Sequence, residues 1–205
     1  MESQFAQVIK NRRSFYDYTK KSPITDDQIK RLLEFALKHT PTAHNTQLTR
    51  IVLLLGGEHD KFWDMVIDAI LERNPGKEMH SSKEKIAKFR NAYGTALFFN
   101  DQKTLRDVIE EMPLYREEHE KWAEHGNAML QFAVWNMLEE AGFGASLQHY
   151  NPIVDERVYN GFGIDRDWRL IAQIPFGITV DEAWDKTFIP MEKRFLVMPG
   201  TNTNV

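Results

Sequence analysis

Cysteine is absent from this 205-residue sequence, and so is any excess of basic residues, since 26 lysines and arginines face 30 aspartates and glutamates. Without cysteine there can be no disulfide, no thiolate nucleophile and no iron–sulfur or cysteine-ligated metal centre. The net charge of -4 and the lack of a basic tail argue against a nucleic-acid partner. Any redox chemistry must therefore come from a bound cofactor.

The sequence also lacks a long uncharged apolar run, an internal repeat and a low-complexity tract. The first residues begin an amphipathic pattern rather than an apolar signal segment, and no later stretch has membrane-spanning length. We therefore expect a soluble, cytoplasmic protein with no membrane partner. A chain of this length supports one substantial hydrophobic core, which predicts a single domain over residues 1–205.

Two widespread ligand-binding signatures are missing as well. No Gly-x-Gly-x-x-Gly or Walker-type phosphate loop occurs, so neither a Rossmann nor a P-loop fold has support. The seven histidines form no His-Glu-x-x-His motif, and neither His39 with His44 nor His119 with His125 stacks on one helical face. We expect no metal site.

Helical periodicity is clearest near the N-terminus. Ser3 suits the N-cap of a first helix, whose inward apolar stripe ends in a cation, Arg12. Thr25 and Gln28 form a capping-box pattern for a second helix, which Pro41 closes.

The remaining elements follow from apolar runs and their breakers. Phe188 to Met198 form no compact unit, so this tail is expected to dock or exchange as an arm. The longest predicted helix carries too many apolar residues for one narrow stripe, which predicts burial on most of its sides. Strands are predicted over 51–55, 95–99, 145–148 and 168–176, the last interrupted by Pro175 and Gly177, helices over about 62–71, 105–112 and 117–141, and a polar loop after 76.

Arg12, Arg13 and Ser14 follow one another at the end of the first helix. Guanidinium forks and a hydroxyl together suit a phosphate or an electron-rich ring edge. The alternative is a basic last turn that complements the helix dipole, with Arg12 extending from the edge of the core. Spacing alone does not decide between the two.

Thr42, Asn45 and Gln47 lie on a constrained turn before the first strand. Their side chains can donate and accept hydrogen bonds together, as the edge of a heteroaromatic ring requires. Residues of these types are also ordinary in loops. The pattern thus allows either a cofactor contact or a plain turn.

The segment 142–152 joins the long helix to the next strand and to an Asn-Pro turn. Its glycines would let the backbone approach a flat ligand, or would serve tight packing between the helix and the strand. His149 and Tyr150 are candidates for an acid or a base, although nothing in the sequence places a substrate proton beside them. Lys186 and Arg194 could reach a phosphate, or could belong to a solvated face.

Taken in order, four motifs resemble the FMN-dependent nitroreductase family. They are Asn-Arg-Arg-Ser at 11–14, Pro-Thr-Ala-x-Asn-x-Gln at 41–47, Gly-x-Gly-Ala-Ser-Leu-Gln-His-Tyr-Asn at 142–151 and Pro-Phe-Gly at 175–177. Ser-Leu-Gln-His-Tyr-Asn-Pro and Trp-x-Leu-Ile-Ala-Gln-x-Pro-Phe-Gly are similar, more narrowly, to the fatty-acid-repression-mutant branch of that family. The resemblance spans nearly the whole chain.

The resemblance implies an α+β homodimer with a mixed central sheet flanked by helices, a C-terminal arm over about 186–205 exchanged with the partner, and two FMN sites at the dimer interface. It implies no catalytic side chain of the protein's own. Cofactor-binding roles carry over to ten residues. Arg12 and Ser14 would hold the phosphate and ribityl end, with Arg13 near the same group, and Thr42, Asn45 and Gln47 would approach the ring from the partner subunit. The backbone around Gln148 and His149 would face the ring near N5, and Lys186 or Arg194 would complete the phosphate pocket.

Two departures from the family pattern affect the site. Leu48 and Thr49 stand where typical members have proline and an aromatic residue, and Gln148-His149-Tyr150 replaces a Glu-Gly turn. The leading hypothesis is a ping-pong oxidoreductase that moves a hydride from NADH or NADPH, through FMN, to a nitroaromatic or quinone. The rival hypotheses are an FMN-binding regulator of redox or lipid response with little turnover, and a flavin-free structural dimer.

Overall fold

The computed structural model describes residues 3–198. Three short 3₁₀ turns, at Ala43–Asn45, Pro113–Tyr115 and Met191–Lys193, interrupt the connections. The helices are α1 (Gln4–Asn11), α2 (Asp26–His39), α3 (Gly56–Arg73), α4 (His80–Arg90), α5 (Gln102–Glu111), α6 (Arg116–Glu140) and α7 (Asp155–Phe162), and the strands are β1 (Tyr18–Thr19), β2 (Thr49–Leu55), β3 (Gly94–Asp101), β4 (Gly144–Ala145) and β5 (Trp168–Thr179).

The strands form one sheet in the order β1-β5-β3-β2, and β4 pairs with β5 outside this path. All pairings between these strands are antiparallel. The parallel component of the expected mixed sheet is confined, within residues 3–198, to an isolated bridge between Ser14 and Ala145. This bridge ties the segment after α1 to the sheet.

The core lies on both faces of β3, whose residues are all buried. Leu97 and Phe99 point to one face, where they meet residues of α3, α4 and α7. Ala96 and Phe98 point to the other face and meet α2 and α6. Because successive side chains of a strand alternate between faces, a continuous apolar run is what a strand covered on both sides requires.

The first two helices begin where the sequence predicts. The Ser3 side chain accepts a hydrogen bond from the Ala6 amide, and Thr25 and Gln28 form a full capping box on α2. The sequence predicts that α1 turns an apolar stripe inward, but in the structure α1 has no fully buried residue, and Phe5 is 64% exposed. Ala6, Val8 and Ile9 are half-buried, so residues 3–198 cover the apolar side of α1 only in part.

Two helices are absent from the sequence-based prediction. The segment predicted as a polar loop contains α4, which is anchored by Ile86 and Phe89 alone. Helix α7 buries only Val158 and ends at Gly163, whose left-handed φ of 65° closes it. With one or two apolar anchors, neither helix has a periodic stripe that a sequence pattern could reveal.

The strand predictions need two corrections. Pro175 does not interrupt β5, because the strand runs on to Thr179. The Pro175 carbonyl accepts from the Ser146 amide at 3.3 Å, so the missing proline N–H falls on the side where the neighbouring strand is short. The strand expected over 145–148 shrinks to β4, and Gln148 rejoins the sheet through a single bridge to Gln173.

The long helix and the tail leave apolar surface open. α6 is not buried on most sides, since Met129 and Phe132 are 43% and 45% exposed. The arm predicted over about 186–205 is described as far as Met198, with its apolar residues exposed, and residues 199–205 lie outside the described part. No helix within residues 3–198 has the length and apolar character to cross a membrane.

Candidate functional site

A cluster of cations lies at the C-terminal end of α1. Arg12 caps the helix, its amide donating to the Val8 carbonyl, and its guanidinium stacks over Trp135 of α6 at 4.3 Å from the ring centroid. Lys186, 174 residues further along the chain, donates from Nζ to the Lys10 carbonyl at 2.5 Å. The arm thus brings a third cation to the Arg12–Arg13 pair.

These cations repel one another. Burial, followed by repulsion from Arg12 and Arg13, lowers the pKa of Lys186. Burial also lowers the pKa of Arg12, which Glu139 offsets in part. The carboxylate that interacts with both Arg12 and Lys186 is Glu139, whose own pKa burial raises. One carboxylate with a raised pKa does not balance the charge of three cations, so the cluster can bind a further anion. A phosphate supplies both the negative charge and the acceptor oxygens.

Ser14 lies at the next turn of the chain and opens onto a groove of about 620 Å³. Tyr16 and Trp184 pack in this groove with ring centroids 6.2 Å apart, and Lys85 Nζ lies 5.8 Å from the Tyr16 centroid. The sequence analysis missed Tyr16, Lys85 and Trp184, since Lys85 belongs to α4 and no pattern links the three. The groove is lined by Ser14, Tyr16, Ser81, Glu84, Lys85, Lys88, Asp181, Glu182 and Trp184.

Thr42, Asn45 and Gln47 come together in a tight loop before β2. The Gln47 amide donates to the Thr42 hydroxyl at 3.0 Å, and the Asn45 amide donates to the Thr42 carbonyl at 3.0 Å. His44, Asn45 and Gln47 have φ of 52°, 54° and 50°. A left-handed conformation costs a non-glycine residue roughly 1–2 kcal/mol, so the surrounding packing must hold this loop.

The loop and the cation cluster lie apart within one chain, and we refer to them as the two candidate half-sites. Thr42 packs on Gly126 of α6, while Arg12 packs on Trp135 of the same helix. The two positions are nine residues apart, which corresponds to about 13 Å along the helix axis. Thr42, Asn45 and Gln47 border their own groove of about 590 Å³, together with side chains of α2.

The turn after β4 presents a single exposed candidate. Gln148 is buried, and both its amide and its carbonyl pair with Gln173, at 2.8 and 2.9 Å. Sheet pairing therefore occupies the backbone of Gln148, and the exposed His149 is the member of the pair able to face a ligand. Burial raises the pKa of Tyr150 to about 12, which makes this phenol a poor acid or base near neutral pH.

The glycines of the same segment serve packing between elements. A Cβ on Gly144 would lie 1.9 Å from Thr179 Cγ2 and 2.9 Å from Phe15 Cδ2, so only glycine fits this position of β4. This contact favours the packing alternative over close approach to a ligand.

Arg194 stands apart from the cation cluster. Its amide donates to the Met191 carbonyl within the last 3₁₀ turn, and its side chain is exposed. Across residues 3–198, no group of three or more histidine, aspartate or glutamate side chains is placed to hold a metal ion.

Comparison with known proteins places this geometry in context. The sequence model described as "Nitroreductase family" matches residues 9–178. Nitroreductase FRM2 of Saccharomyces cerevisiae is 31% identical over 187 residues, covering 90% of this chain and 93% of its own length. Nitroreductase CinD of Lactococcus lactis, solved with chloramphenicol and with 4-nitrophenol, is 32% identical, with TM-scores of 0.88 and 0.87 and coverage of 96% of this chain and 100% of its own. A Desulfovibrio desulfuricans protein solved with FMN shares the fold at a TM-score of 0.70 and 16% identity, covering 98% of this chain and 99% of its own.

Proposed function

Since this chain belongs to the nitroreductase family and is an oxidoreductase of that family, we propose that it binds FMN and uses NADH or NADPH to reduce small nitroaromatics or quinones. The observation that carries the proposal is the meeting of Arg12, Arg13 and Lys186 at the end of α1. Lys186 is far from Arg12 and Arg13 in the sequence, and the fold brings it to this pair, next to Ser14.

The chemistry of the donor set fits FMN at two points. The crowded cations match a phosphate monoester, and Lys186 gains a counter-charge that offsets its lowered pKa. The groove that begins at Ser14 has the aromatic and polar lining expected for a flat heteroaromatic ring. When bound, FMN supplies the redox chemistry, accepting a hydride from the nicotinamide and passing electrons to the acceptor.

The protein's own residues hold the ring and set its electrostatics. Lys85 lies beside Tyr16 in the groove, where its charge would favour the anionic reduced ring, although Lys88 and the carboxylates of Glu84, Asp181 and Glu182 line the same groove. Asn45 and Gln47, with Thr42, offer amide and hydroxyl groups for a ring edge, and His149 offers an exposed imidazole. No proton relay from a side chain is required for hydride transfer to the ring.

A second copy of the chain would complete each site. The half-sites of one chain lie about 13 Å apart along α6, and the exposed Met129 and Phe132 lie between them on that helix. Phe5, Val8, Phe35 and Phe132 line an adjoining groove of about 510 Å³. Apolar surface of this kind is typical of an interface, which supports a homodimer with the ring bound between subunits.

We choose the acceptors to test from the ligands that a similar protein binds. CinD has been solved with 4-nitrophenol and with chloramphenicol, so we extend small aromatic nitro compounds to this chain as the first acceptors to test. Quinones remain the second class.

The first experiment is reconstitution with FMN followed by anaerobic addition of NADH or NADPH. Rapid bleaching of a protein-bound flavin band, with reoxidation by 4-nitrophenol or a quinone, is the expected result. A bound flavin that stays oxidised would favour the regulatory hypothesis, and the absence of bound flavin would contradict the proposal.

Lys186→Met tests the phosphate role. Loss of a charge-assisted contact of about 1.5–3 kcal/mol should weaken FMN binding by roughly ten- to a hundredfold, as measured by quenching of flavin fluorescence. Lys193→Met is the matched control, because it removes a charge from the 3₁₀ turn of the same arm. Equal FMN affinity in both variants would mean that Lys186 does not hold the phosphate.

A further inference from the structure

The loop that carries Asn45 and Gln47 has a backbone that its own sequence does not favour. His44, Asn45 and Gln47 are all left-handed; this region is uncommon for any residue but glycine, and glutamine, unlike asparagine and histidine, is not enriched there. The internal hydrogen bonds of the loop converge on Thr42 and Ala43. These short-range bonds close the turn, and Arg50 Nη1 of β2 donates to the Gln47 carbonyl at 2.6 Å, which ties the C-terminal end of the loop to the sheet. None of these bonds attaches the His44 end of the loop to α6.

A cluster of four rings provides that attachment. His44 lies with its ring centroid 5.7 Å from His119 and 5.6 Å from Trp122. Behind it, His119 and Trp122 pack edge to face at 5.1 Å, and Tyr115 contacts both, at 6.4 and 5.8 Å. His119 and Trp122 are three residues apart on α6, so the helix itself keeps the two rings together.

His119 and Trp122 together form the centre of this cluster, since each of them contacts the other three rings. His119 is the more deeply buried of the two. It is 3% exposed, and its Nε2 has no hydrogen-bond partner within residues 3–198. Nε2 therefore contributes no hydrogen bond to the loop. Its ring also borders a small cavity of about 10 Å³, which Thr42, Ala43 and Thr46 line from the loop side. The contact between His119 and the loop is therefore one of ring packing.

We propose that His119 is a positioning residue for the cofactor loop: by packing against His44, it holds the left-handed backbone that presents Asn45 and Gln47. The role of those two side chains toward FMN rests on the proposed function. The packing role does not, because it concerns the loop in the protein with or without cofactor. His119 touches no reacting atom and acts only through His44.

Three variants separate ring packing from other effects. His119→Leu removes one of the two central rings and leaves Trp122 in place, whereas His119→Phe keeps a ring and loses both nitrogens. His44→Asn removes the outer ring and leaves a residue that tolerates a left-handed φ. The matched control is His125→Leu, an exposed histidine on the same helix.

The first measurement is hydrogen exchange at the amides of Asn45, Thr46 and Gln47, in the protein without added FMN. His119→Leu and His44→Asn should raise exchange at these amides by about tenfold or more, while His119→Phe and His125→Leu should match the parent protein. Unchanged exchange in the first two variants would overturn the proposal. So would an equal rise at the amides of β3, since that would reflect general destabilisation.

The second measurement is FMN affinity and the split between KM and kcat with an aromatic acceptor. Misplacement of a positioning loop is expected to weaken FMN binding by on the order of ten- to a hundredfold in His119→Leu, with rescue in His119→Phe. If the parent protein binds no FMN, the proposed function fails while the exchange result still stands. If the parent and His119→Leu bind FMN equally, the positioning role is wrong and the proposed function is untouched.

Discussion

At the scale of single residues, His59 shows how a buried chain of hydrogen bonds fixes a protonation state. Trp63 Nε1 donates to Thr95 Oγ1 at 3.0 Å, the Thr95 hydroxyl lies 2.9 Å from His59 Nδ1, and His59 Nε2 lies 3.2 Å from the Arg90 carbonyl. Because a carbonyl only accepts, Nε2 carries the proton, and Nδ1 accepts from Thr95. Burial lowers the pKa of His59 to about 4 from 6.5.

This assignment predicts a pH dependence of stability. The unfolded chain takes up a proton near pH 6.5, and the folded chain does so only near pH 4, so the stability contributed by neutral His59 is lost as pH falls through that window. Between about pH 7.5 and about pH 5 the free energy of unfolding should fall by about 2 kcal/mol from this group alone.

Urea unfolding of the parent protein and of His59→Gln at the two pH values measures the effect. The variant should have a shallower pH dependence by that amount, whereas the exposed control His80→Gln should keep the parent slope. Equal slopes in His59→Gln and the parent protein would show that folding does not lower the pKa of His59.

At the scale of elements, the two-residue strand β4 fixes the position of the segment that contains Ser14. It pairs with β5 through Gly144 and Ala145, and Ala145 bridges to Ser14, with its carbonyl accepting from the Phe15 amide at 3.1 Å. The strand therefore fixes the segment that follows the arginines. Any change that moves β4 should also move Ser14.

Gly144→Ala tests this close packing. The new methyl group would overlap Thr179 and Phe15, and overpacking of this kind costs about 1–3 kcal/mol in the free energy of unfolding. Gly57→Ala is the control, since a Cβ there meets nothing within 4 Å and lies in the first turn of α3. Urea unfolding should separate the two variants, and equal stability would mean that β4 shifts without resistance.

At the scale of the whole molecule, the largest feature is apolar surface that this chain alone does not cover. Phe188, Phe195, Leu196 and Met198 of the arm are 65–81% exposed. The outer sides of α1 and α6 leave Phe5 and Phe132 open as well. An arm that packs on a partner would cover both surfaces at once, as the exchanged homodimer requires.

Truncation after Asp185 tests this arrangement. The shortened chain should sediment as a monomer, because it loses the exposed apolar residues that we assign to the interface, and it should lose FMN affinity together with Lys186. Its own sheet and core should persist, since no buried core residue lies beyond 185 in the part of the chain that the structure describes. A truncated chain that remains dimeric in analytical ultracentrifugation would contradict the arm exchange.

The sequence by itself determined the features that depend on near neighbours along the chain. The capping box at Thr25, the strand at 95–99 and the long helix could be predicted, because turns of helix and alternating strands repeat over a few residues. The absence of cysteine restricted redox chemistry to a cofactor, and the ordered motifs indicated the family. The choice between phosphate site and basic last turn at Arg12 stayed open, because both need the same residues.

Tertiary structure decided the features that depend on distant segments meeting. α4 and α7 are held by one or two buried apolar residues each, which pack against the core. β5 continues through Pro175 because β4, the strand on the side of the missing N–H, is short. The position of Lys186 beside Lys10, of Lys85 beside Tyr16 and of His44 against His119 could not be predicted from local patterns. Local periodicity predicts which side of a helix or strand is buried. Which distant element packs against that side depends on the packing of the whole fold.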